Sequence, residues 1–343
     1  MKRKIMMIRV SDPKIKEMEK IDFSELPSFV GECDFNGNIH CIIQAKDGRF
    51  LIGGEFTKFN GRSVNCSVCL NPEGTVNEEF MRNIGTGFNV WIRSIIQDKN
   101  GNILIGGAFS RFNGQEVNYF VCLNPEGTVN EEFMCNIGKG FNSRIEFIFQ
   151  DKNGNILIGG AFSRFNGREV NCFICLNSDR TINEEFMRNI GTGFNRWVEC
   201  IFQSKNGNIL IGGKFSEFNG REVNYFICLN SDGTINEEFM RNIGTGFNHW
   251  IKSIVQDKNG NILIGGKFSE FNGREVNYFI CLNFDGTINE EFMRNIGTGF
   301  NRWVKSIIQD KDGNILIGGK FSEFNGQEVN CFICLNPDGT VGD

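Results

Sequence analysis

The sequence has few of the residues from which catalytic and metal-binding sites are commonly built. Only two of its 343 residues are histidines, His40 and His249, and they do not occupy equivalent positions. The chain contains no G-x-S-x-G elbow, no H-E-x-x-H zinc motif and no phosphate-binding P-loop. These absences remove the common signatures of hydrolases, metalloproteases and nucleotide-binding enzymes. We therefore predict that the chain is not an enzyme and needs neither a cofactor nor a metal.

Long apolar runs and basic stretches are also missing. No segment approaches the length of a membrane-spanning helix, and the apolar run at residues 5–8 is shorter than the core of a signal peptide. The net charge is -5, and the sequence has no basic stripe of the kind that tracks a phosphate backbone. The sequence therefore predicts a soluble, cytoplasmic protein that binds neither membranes nor nucleic acids.

Cysteine is abundant, with 13 residues, but its pattern does not indicate disulfide or metal chemistry. Three copies of a C-x-x-C pair occur, yet Tyr119, Tyr225 and Tyr278 replace the first cysteine elsewhere, and residues i and i+3 of a strand point to opposite faces. We expect small buried hydrophobic residues in a reducing compartment. One such cysteine occurs in every repeat, at Cys69, Cys122, Cys175, Cys228, Cys281 and Cys334.

The dominant feature of the chain is an internal repeat of 53 residues. It occurs six times, with no insertion or deletion between copies. A fixed period in this range is typical of arrays, solenoids and propellers. The repeat is marked by a glycine pair at Gly53-Gly54, Gly106-Gly107, Gly159-Gly160, Gly212-Gly213, Gly265-Gly266 and Gly318-Gly319.

The fifth copy shows the strands that the repeat predicts. Residues 251–256 and 261–268 form a hairpin around a turn at 257–260, residues 277–283 a third strand, and residues 288–293 a weaker fourth strand. The second and third strands are apolar on both faces, so each sheet must be covered on both sides. Radial stacking of blades achieves this. We predict an all-β fold, a six-bladed β-propeller of four-stranded antiparallel blades.

The two ends of the repeat array are complementary. The last copy stops before its fourth strand, and residues 22–29 precede the first copy. We predict that this N-terminal segment supplies the missing outer strand of the last blade and closes the ring. Residues 22–343 would then form one propeller domain, residues 1–21 a tail or short helix, and the protein would be a monomer.

The two recurring motifs resemble a known repeat family. Gln-Asp-Lys-Asn-Gly-Asn-Ile-Leu-Ile-Gly-Gly-Lys-Phe, followed by Cys-Leu-Asn-Pro-Asp-Gly-Thr-Ile-Asn-Glu-Glu-Phe, resembles the delta-60 repeat, a β-propeller family found mostly in bacteria. The resemblance covers about residues 35–343. It implies the fold and carries no catalytic residues across. The apolar run with its glycine pair is also similar to kelch repeats, as an analogy of architecture alone.

The differences between copies indicate a candidate binding site. One repeat position holds tryptophan in four copies, whereas Asn38 and Arg144 replace it in the other two. If the first strand of each blade lines the central channel, the indoles lie near its mouth, where they could stack on a sugar, a base or a partner's side chain. Alternatively, each tryptophan packs between adjacent blades. The candidate residues are Trp91, Trp197, Trp250 and Trp303 with Arg144, Arg196, His249 and Arg302.

Two acidic patterns have structural interpretations. Asp310 and Asp312 have the alternate spacing of calcium ligands, but four of the other five copies place Asn at the second position, which indicates a simple turn. Paired glutamates such as Glu290-Glu291 are expected on an outer strand, where charge discourages pairing between sheets.

These observations lead to three functional hypotheses. The first is a non-catalytic propeller scaffold that binds a protein partner through one face. The second is binding of a carbohydrate or another small ligand at the tryptophan-bearing channel mouth. The third is an enzyme with its site in the central channel. The sequence identifies neither the partner nor the biological process.

Overall fold

The computed structural model describes residues 8–10 and 33–341. Each of the six copies forms a three-stranded antiparallel sheet, and a short hairpin with two residues in each strand lies between the second and third strands of that sheet. A seven-residue helix follows the sheet in the first five copies. None of the helices in the described residues is long and apolar enough to cross a membrane.

The first three copies contain these elements in chain order. β1 (Ile8–Val10) and β2 (Cys33–Phe35) precede the first copy, which has β3 (Ile39–Gln44), β4 (Phe50–Gly54), β5 (Lys58–Phe59), β6 (Arg62–Ser63), β7 (Ser67–Leu70) and α1 (Glu78–Ile84). The second has β8 (Ile92–Gln97), β9 (Ile103–Gly107), β10 (Arg111–Phe112), β11 (Gln115–Glu116), β12 (Phe120–Leu123) and α2 (Glu131–Ile137). The third has β13 (Ile145–Gln150), β14 (Ile156–Gly160), β15 (Arg164–Phe165), β16 (Arg168–Glu169), β17 (Phe173–Leu176) and α3 (Glu184–Ile190).

The last three copies follow the same order. The fourth has β18 (Val198–Gln203), β19 (Ile209–Gly213), β20 (Glu217–Phe218), β21 (Arg221–Glu222), β22 (Phe226–Leu229) and α4 (Glu237–Ile243). The fifth has β23 (Ile251–Gln256), β24 (Ile262–Gly266), β25 (Glu270–Phe271), β26 (Arg274–Glu275), β27 (Phe279–Leu282) and α5 (Glu290–Ile296). The sixth has β28 (Val304–Gln309), β29 (Ile315–Gly319), β30 (Glu323–Phe324), β31 (Gln327–Glu328) and β32 (Phe332–Leu335).

Packing divides the chain into two compact units. Unit 1 comprises residues 1–170 and 174–182, and unit 2 comprises residues 171–173 and 183–343. The tryptophan-bearing positions of the first three copies therefore belong to unit 1, and those of the last three copies belong to unit 2.

The middle strand of each sheet is the most buried. In the fifth copy β24 pairs on one side with β23, where Ile264 faces Ile254, and on the other with β27, where it faces Ile280. Every residue of β24 is buried. An Ile-Leu-Ile run is apolar on both faces, so the strand is stable only when side chains cover both.

The glycine pair allows close packing at the end of this strand. A Cβ added at Gly212 would lie 2.5 Å from Ile251 Cγ2 on the next sheet and 2.9 Å from Cys200 Sγ. A Cβ added at Gly213 would overlap the carbonyl oxygen of Trp197. The first glycine thus accommodates a neighbouring sheet's side chain, and the second accommodates the backbone that carries the tryptophan.

The predicted fourth strand is wrong, because its residues form an α-helix. In the fifth copy Asn289 caps α5, and its Oδ1 accepts a hydrogen bond from Phe292 N at 3.0 Å. Gly297, with φ of 62°, ends the helix. Only Ile288 keeps a β-bridge, to Leu282. The sheets therefore have three strands instead of four, and the fold is propeller-like without being purely β.

The helices also correct the assignment of the paired glutamates. Glu290 and Glu291 lie in the first turn of α5 and not on an outer strand. Carboxylates are favourable there because the helix dipole is positive at its N-terminus. Phe292, Met293 and Ile296 are buried, and their spacing places them on one side of the helix.

The predicted ring closure by residues 22–29 lies outside the described residues. Of the predicted tail or short helix at residues 1–21, only β1 is described, and it pairs in parallel with β2. Ring closure and the single domain of residues 22–343 therefore stay predictions.

Candidate functional site

The tryptophan-bearing positions lie at one edge of each sheet. Trp250 directly precedes β23, and Lys267 directly follows β24. Because these strands are antiparallel, both residues come to the same edge, where Lys267 N donates to Trp250 O at 2.7 Å. We call the residues just before the first strand and just after the second strand of a copy its Trp-bearing edge.

Asparagine side chains hold the loops of this edge in place. Asn248 Oδ1 accepts hydrogen bonds from Ser269 N at 3.0 Å and Glu270 N at 3.1 Å, and its Nδ2 donates to Ser269 Oγ. Beneath the loop, the ring of Phe247 packs 4.7 Å from that of Phe268. The same asparagine contacts occur at Asn89, Asn142, Asn195 and Asn301. The edge is therefore built identically from copy to copy, and only its substituents differ.

Indoles and ammonium groups alternate along the Trp-bearing edge of unit 2. Lys214 Nζ lies 3.8 Å from the ring centroid of Trp197 and 4.4 Å from that of Trp250. Lys267 Nζ lies 4.4 Å from the centroid of Trp250 and 3.4 Å from that of Trp303. These distances are within the range of cation–π attraction. We call this set the Lys–Trp row; its members in spatial order are Trp197, Lys214, Trp250, Lys267, Trp303 and Lys320.

The row contacts one buried carboxylate. Glu199 Oε1 lies 3.1 Å from Lys214 Nζ, its Oε2 contacts Lys252 Nζ, and its side chain is only 7% exposed. Burial lowers the pKa of Lys267, and repulsion from Lys252, Lys214 and Lys320 lowers it further, against an opposing contribution from Glu199. The ammonium groups of these lysines thus concentrate positive charge in this part of unit 2.

Of the other predicted site residues in unit 2, one is packed against its neighbours and two are exposed to solvent. His249 is packed: its Nδ1 accepts from Trp250 N at 2.8 Å, and its ring is stacked 6.2 Å from that of Tyr225. Burial, followed by the charge of Lys267, lowers the pKa of His249. Arg196 and Arg302 are exposed, and within the described residues neither makes an ion pair.

Trp303 is the most exposed tryptophan of the row. Trp197 and Trp250 are half-buried, whereas Trp303 is 36% exposed. Since Lys214 follows the second strand of the fourth copy and reaches the indole of the fifth, the contacts join consecutive sheets.

Unit 1 has a different arrangement at its Trp-bearing edge. The guanidinium of Arg93 lies 5.3 Å from the centroid of the half-buried Trp91. Glu146 accepts from Arg144 Nε at 2.6 Å and lies 3.5 Å from Arg93 Nε. Here the guanidinium next to the indole, that of Arg93, is paired with a carboxylate.

The lysines of the row are the functional candidates that sequence analysis missed. The signal was present, because the position after the glycine pair is uneven between copies. It holds lysine in the three copies of unit 2 and Glu55, Ala108 and Ala161 in unit 1. What the sequence did not show is that each of these lysines reaches a tryptophan. Among the described residues, no group of three or more His, Cys, Asp or Glu side chains is arranged to hold a metal ion.

Several solved structures are similar to this chain. The WD40 β-propeller domain of Doa1 is 14% identical, with 86% of this chain and 80% of that chain covered and a TM-score of 0.46. PorZ, a surface component of the type-IX secretion system of Porphyromonas gingivalis, is 13% identical, with 95% of this chain and 43% of that chain covered and a TM-score of 0.47. Virginiamycin B lyase from Staphylococcus aureus is 11% identical, with 88% of this chain and 85% of that chain covered and a TM-score of 0.45. No curated protein matches this chain in sequence.

The prediction that the chain is not an enzyme, which was based on its missing catalytic motifs, is wrong. A lyase is among the similar structures, and it shows that a propeller can be an enzyme. At 11% identity the lyase gives no reaction, substrate or catalytic residue for this chain.

A family model matches one segment of every repeat. The matched residues are 45–80, 99–133, 152–186, 205–239, 258–292 and 311–341. Each segment starts at or near the turn between the first two strands, and the first five end within the helix that follows the sheet. Together the six segments include more than half of the chain. The chain therefore belongs to the family described as domain of unknown function (DUF5122) beta-propeller.

Proposed function

We propose that this chain is a binding protein that recognises a protein partner through the Trp-bearing edge of unit 2. The observation that carries the proposal is the exposure of Trp303 and Arg302 next to each other at this edge, with Arg196 two copies earlier. Tryptophan and arginine are the residue types most enriched among the side chains that dominate binding energy at protein interfaces.

The rigidity of the loops supports the same proposal. Asn301 Oδ1 accepts hydrogen bonds from Ser322 N at 3.0 Å and Glu323 N at 3.1 Å, which ties the segment before β28 to the one after β29. A surface held in this way loses little conformational entropy when a partner binds. We also propose that the chain belongs to the delta-60 repeat family, which its two recurring motifs resemble.

Carbohydrate binding is a second candidate, favoured by the partly exposed indole of Trp303. A sugar would stack on an indole face, but Lys267 Nζ already lies 3.4 Å from the centroid of this ring. Trp250 has ammonium groups from two lysines at 4.4 Å. The geometry therefore supports recognition of a partner's polar surface better than stacking of a pyranose.

A capture experiment with matched variants tests the proposal. The intact chain, an Arg302→Ala/Trp303→Ala variant and a Lys258→Ala/Asn259→Ala control at the opposite edge of the fifth sheet are immobilised, and bound proteins are compared by mass spectrometry. We expect a defined protein to bind the wild type and the control and to be lost from the edge variant, with affinity about 30-fold weaker, as for a dominant interface residue.

Two outcomes would contradict the proposal. One is equal capture by the edge variant and the control. The other is glycan-array binding that depends on Trp303 while protein capture does not. A melting curve of each variant shows that the loss reflects binding and not unfolding.

A further inference from the structure

We propose that the lysines of the Lys–Trp row, with Lys252, form an anion-binding site that receives a multiply charged acidic group of the protein partner. The group is either a run of carboxylates or a phosphoryl group, which share negatively charged oxygen acceptors. This inference rests on the proposed function, because it names the chemistry by which the Trp-bearing edge of unit 2 recognises its partner.

Within the described residues, the positive charge around Lys267 is not neutralised. The ammonium groups of Lys214, Lys252 and Lys320 repel that of Lys267. In the part of the chain that the structure describes, Glu199 is the single carboxylate in ionic contact with these four lysines. Four positive charges and one negative charge leave an excess of three. Glu199 contacts Lys214 and Lys252, and within the described residues no ion pair involves Lys267 or Lys320.

The glutamates of the neighbouring hairpins do not provide the missing negative charge. The short hairpins beside the edge carry exposed glutamates, and each faces another glutamate across its hairpin instead of a lysine of the row. The facing pairs are Glu217 and Glu222, Glu270 and Glu275, and Glu323 and Glu328. Among the described residues, none of the six forms an ion pair with the row.

The indoles position the ammonium groups but keep them charged. A cation–π contact stabilises an ammonium group by about 0.5–2 kcal/mol without removing its charge. Lys267 is held between the rings of Trp250 and Trp303, and both its burial and its neighbours lower its pKa. A bound anion would offset both effects, since it places negative charge where the protein has concentrated positive charge.

Comparison with unit 1 shows that the fold does not require these lysines. Ala108 and Ala161 occupy the equivalent position after β9 and β14, and the same three-stranded sheets form there. A lysine at this position in three consecutive copies is therefore an addition to the scaffold. It also means that Lys→Ala at this position introduces a residue that the repeat already accommodates.

Titration of the intact chain with three probes tests the site. The probes are inorganic pyrophosphate, a glutamate decapeptide and a phosphoserine peptide, each followed by calorimetry and tryptophan fluorescence at low ionic strength, because salt screens exposed charges. We expect saturable binding, and about tenfold weaker binding for each of Lys267→Ala and Lys320→Ala, since a hydrogen bond to a charged group contributes at least that much. Control variants Lys258→Ala and Lys311→Ala, on the turns at the opposite edge, should bind as the wild type does.

The outcomes distinguish a carboxylate ligand from a phosphoryl ligand. They also distinguish a failure of the anion site from a failure of the proposed partner binding. Tighter binding of the glutamate peptide identifies an acidic segment, and tighter binding of the phosphopeptide identifies a phosphoryl group. No saturable binding of any probe, or equal loss in the control variants, overturns the anion site. Partner capture that persists in Lys267→Ala refutes only this inference, whereas anion binding without edge-dependent capture refutes the proposed function. Lys267→Gln, which keeps the side-chain stem, replaces the alanine variant if the latter does not fold.

Discussion

The first glycine of the pair should tolerate alanine in the sixth copy but not in the fourth. Neither Gly212 nor Gly318 has a positive φ, so alanine is compatible with both backbones. At Gly212 the new methyl group would lie 2.5 Å from Ile251 Cγ2, whose side chain is fully buried. At Gly318 the nearest atom among the described residues is Cys331 O, at 4.0 Å.

These distances predict opposite effects on the free energy of unfolding. Overpacking in a dense interior costs about 1–3 kcal/mol, because Ile251 and Cys200 must both move to admit the methyl group at Gly212. Gly318→Ala meets no close contact among the described residues and should stabilise the protein by about 0.4–1 kcal/mol through the reduced entropy of the unfolded chain. The two variants should therefore differ by about 1.5–4 kcal/mol.

Urea denaturation of the two variants measures this difference. Both glycines lie in unit 2, so both substitutions act on the same part of the chain even if the two units unfold separately. The reasoning is refuted if Gly212→Ala changes the unfolding free energy by less than 0.5 kcal/mol, on the order of an ordinary surface substitution. Equal destabilisation by Gly318→Ala would show that a side chain covers this glycine as Ile251 covers Gly212.

Two further predictions concern the helices and the thiols. Asn289→Ala removes the cap of α5 and should lower the unfolding free energy by about 1 kcal/mol in the same assay, whereas the exposed turn variant Asn259→Ala should change it little. Burial raises the pKa of Cys228 to about 12. Iodoacetamide at pH 8 should therefore modify the exposed Cys135, while Cys228 stays protonated and unmodified. Equal labelling of both thiols in the folded protein would contradict the burial of Cys228.

The repeat period predicted the architecture because each copy carries its own strand and turn signals. The run Ile262-Leu263-Ile264 and the turn before it correspond to β24 and its hairpin with β23. The predicted fourth strand at residues 288–293 is wrong, because its apolar residues face one side of a helix. The helix signal was local: Asn289 as a cap, two glutamates after it, and Gly297 as the stop.

The sequence predicts the tryptophans of the candidate site but not the lysines that contact them. Variation between copies identified the tryptophans, since a scaffold position that changes from Trp to Asn38 or Arg144 is not fixed by packing alone. The same comparison applied to the residue after the glycine pair would have identified Lys267. That Lys267 reaches Trp303, 36 positions later in the chain, depends on how consecutive sheets stack, and periodicity does not specify that distance.

The central claim is that the Trp-bearing edge of unit 2 is a cationic recognition surface. Its most direct test is calorimetric titration with pyrophosphate of the intact chain and, in parallel, of the Lys267→Ala variant. The account predicts saturable binding by the wild type that weakens about tenfold in the variant and decreases as salt is added. Identical isotherms for the two proteins, or no binding by either, would contradict it.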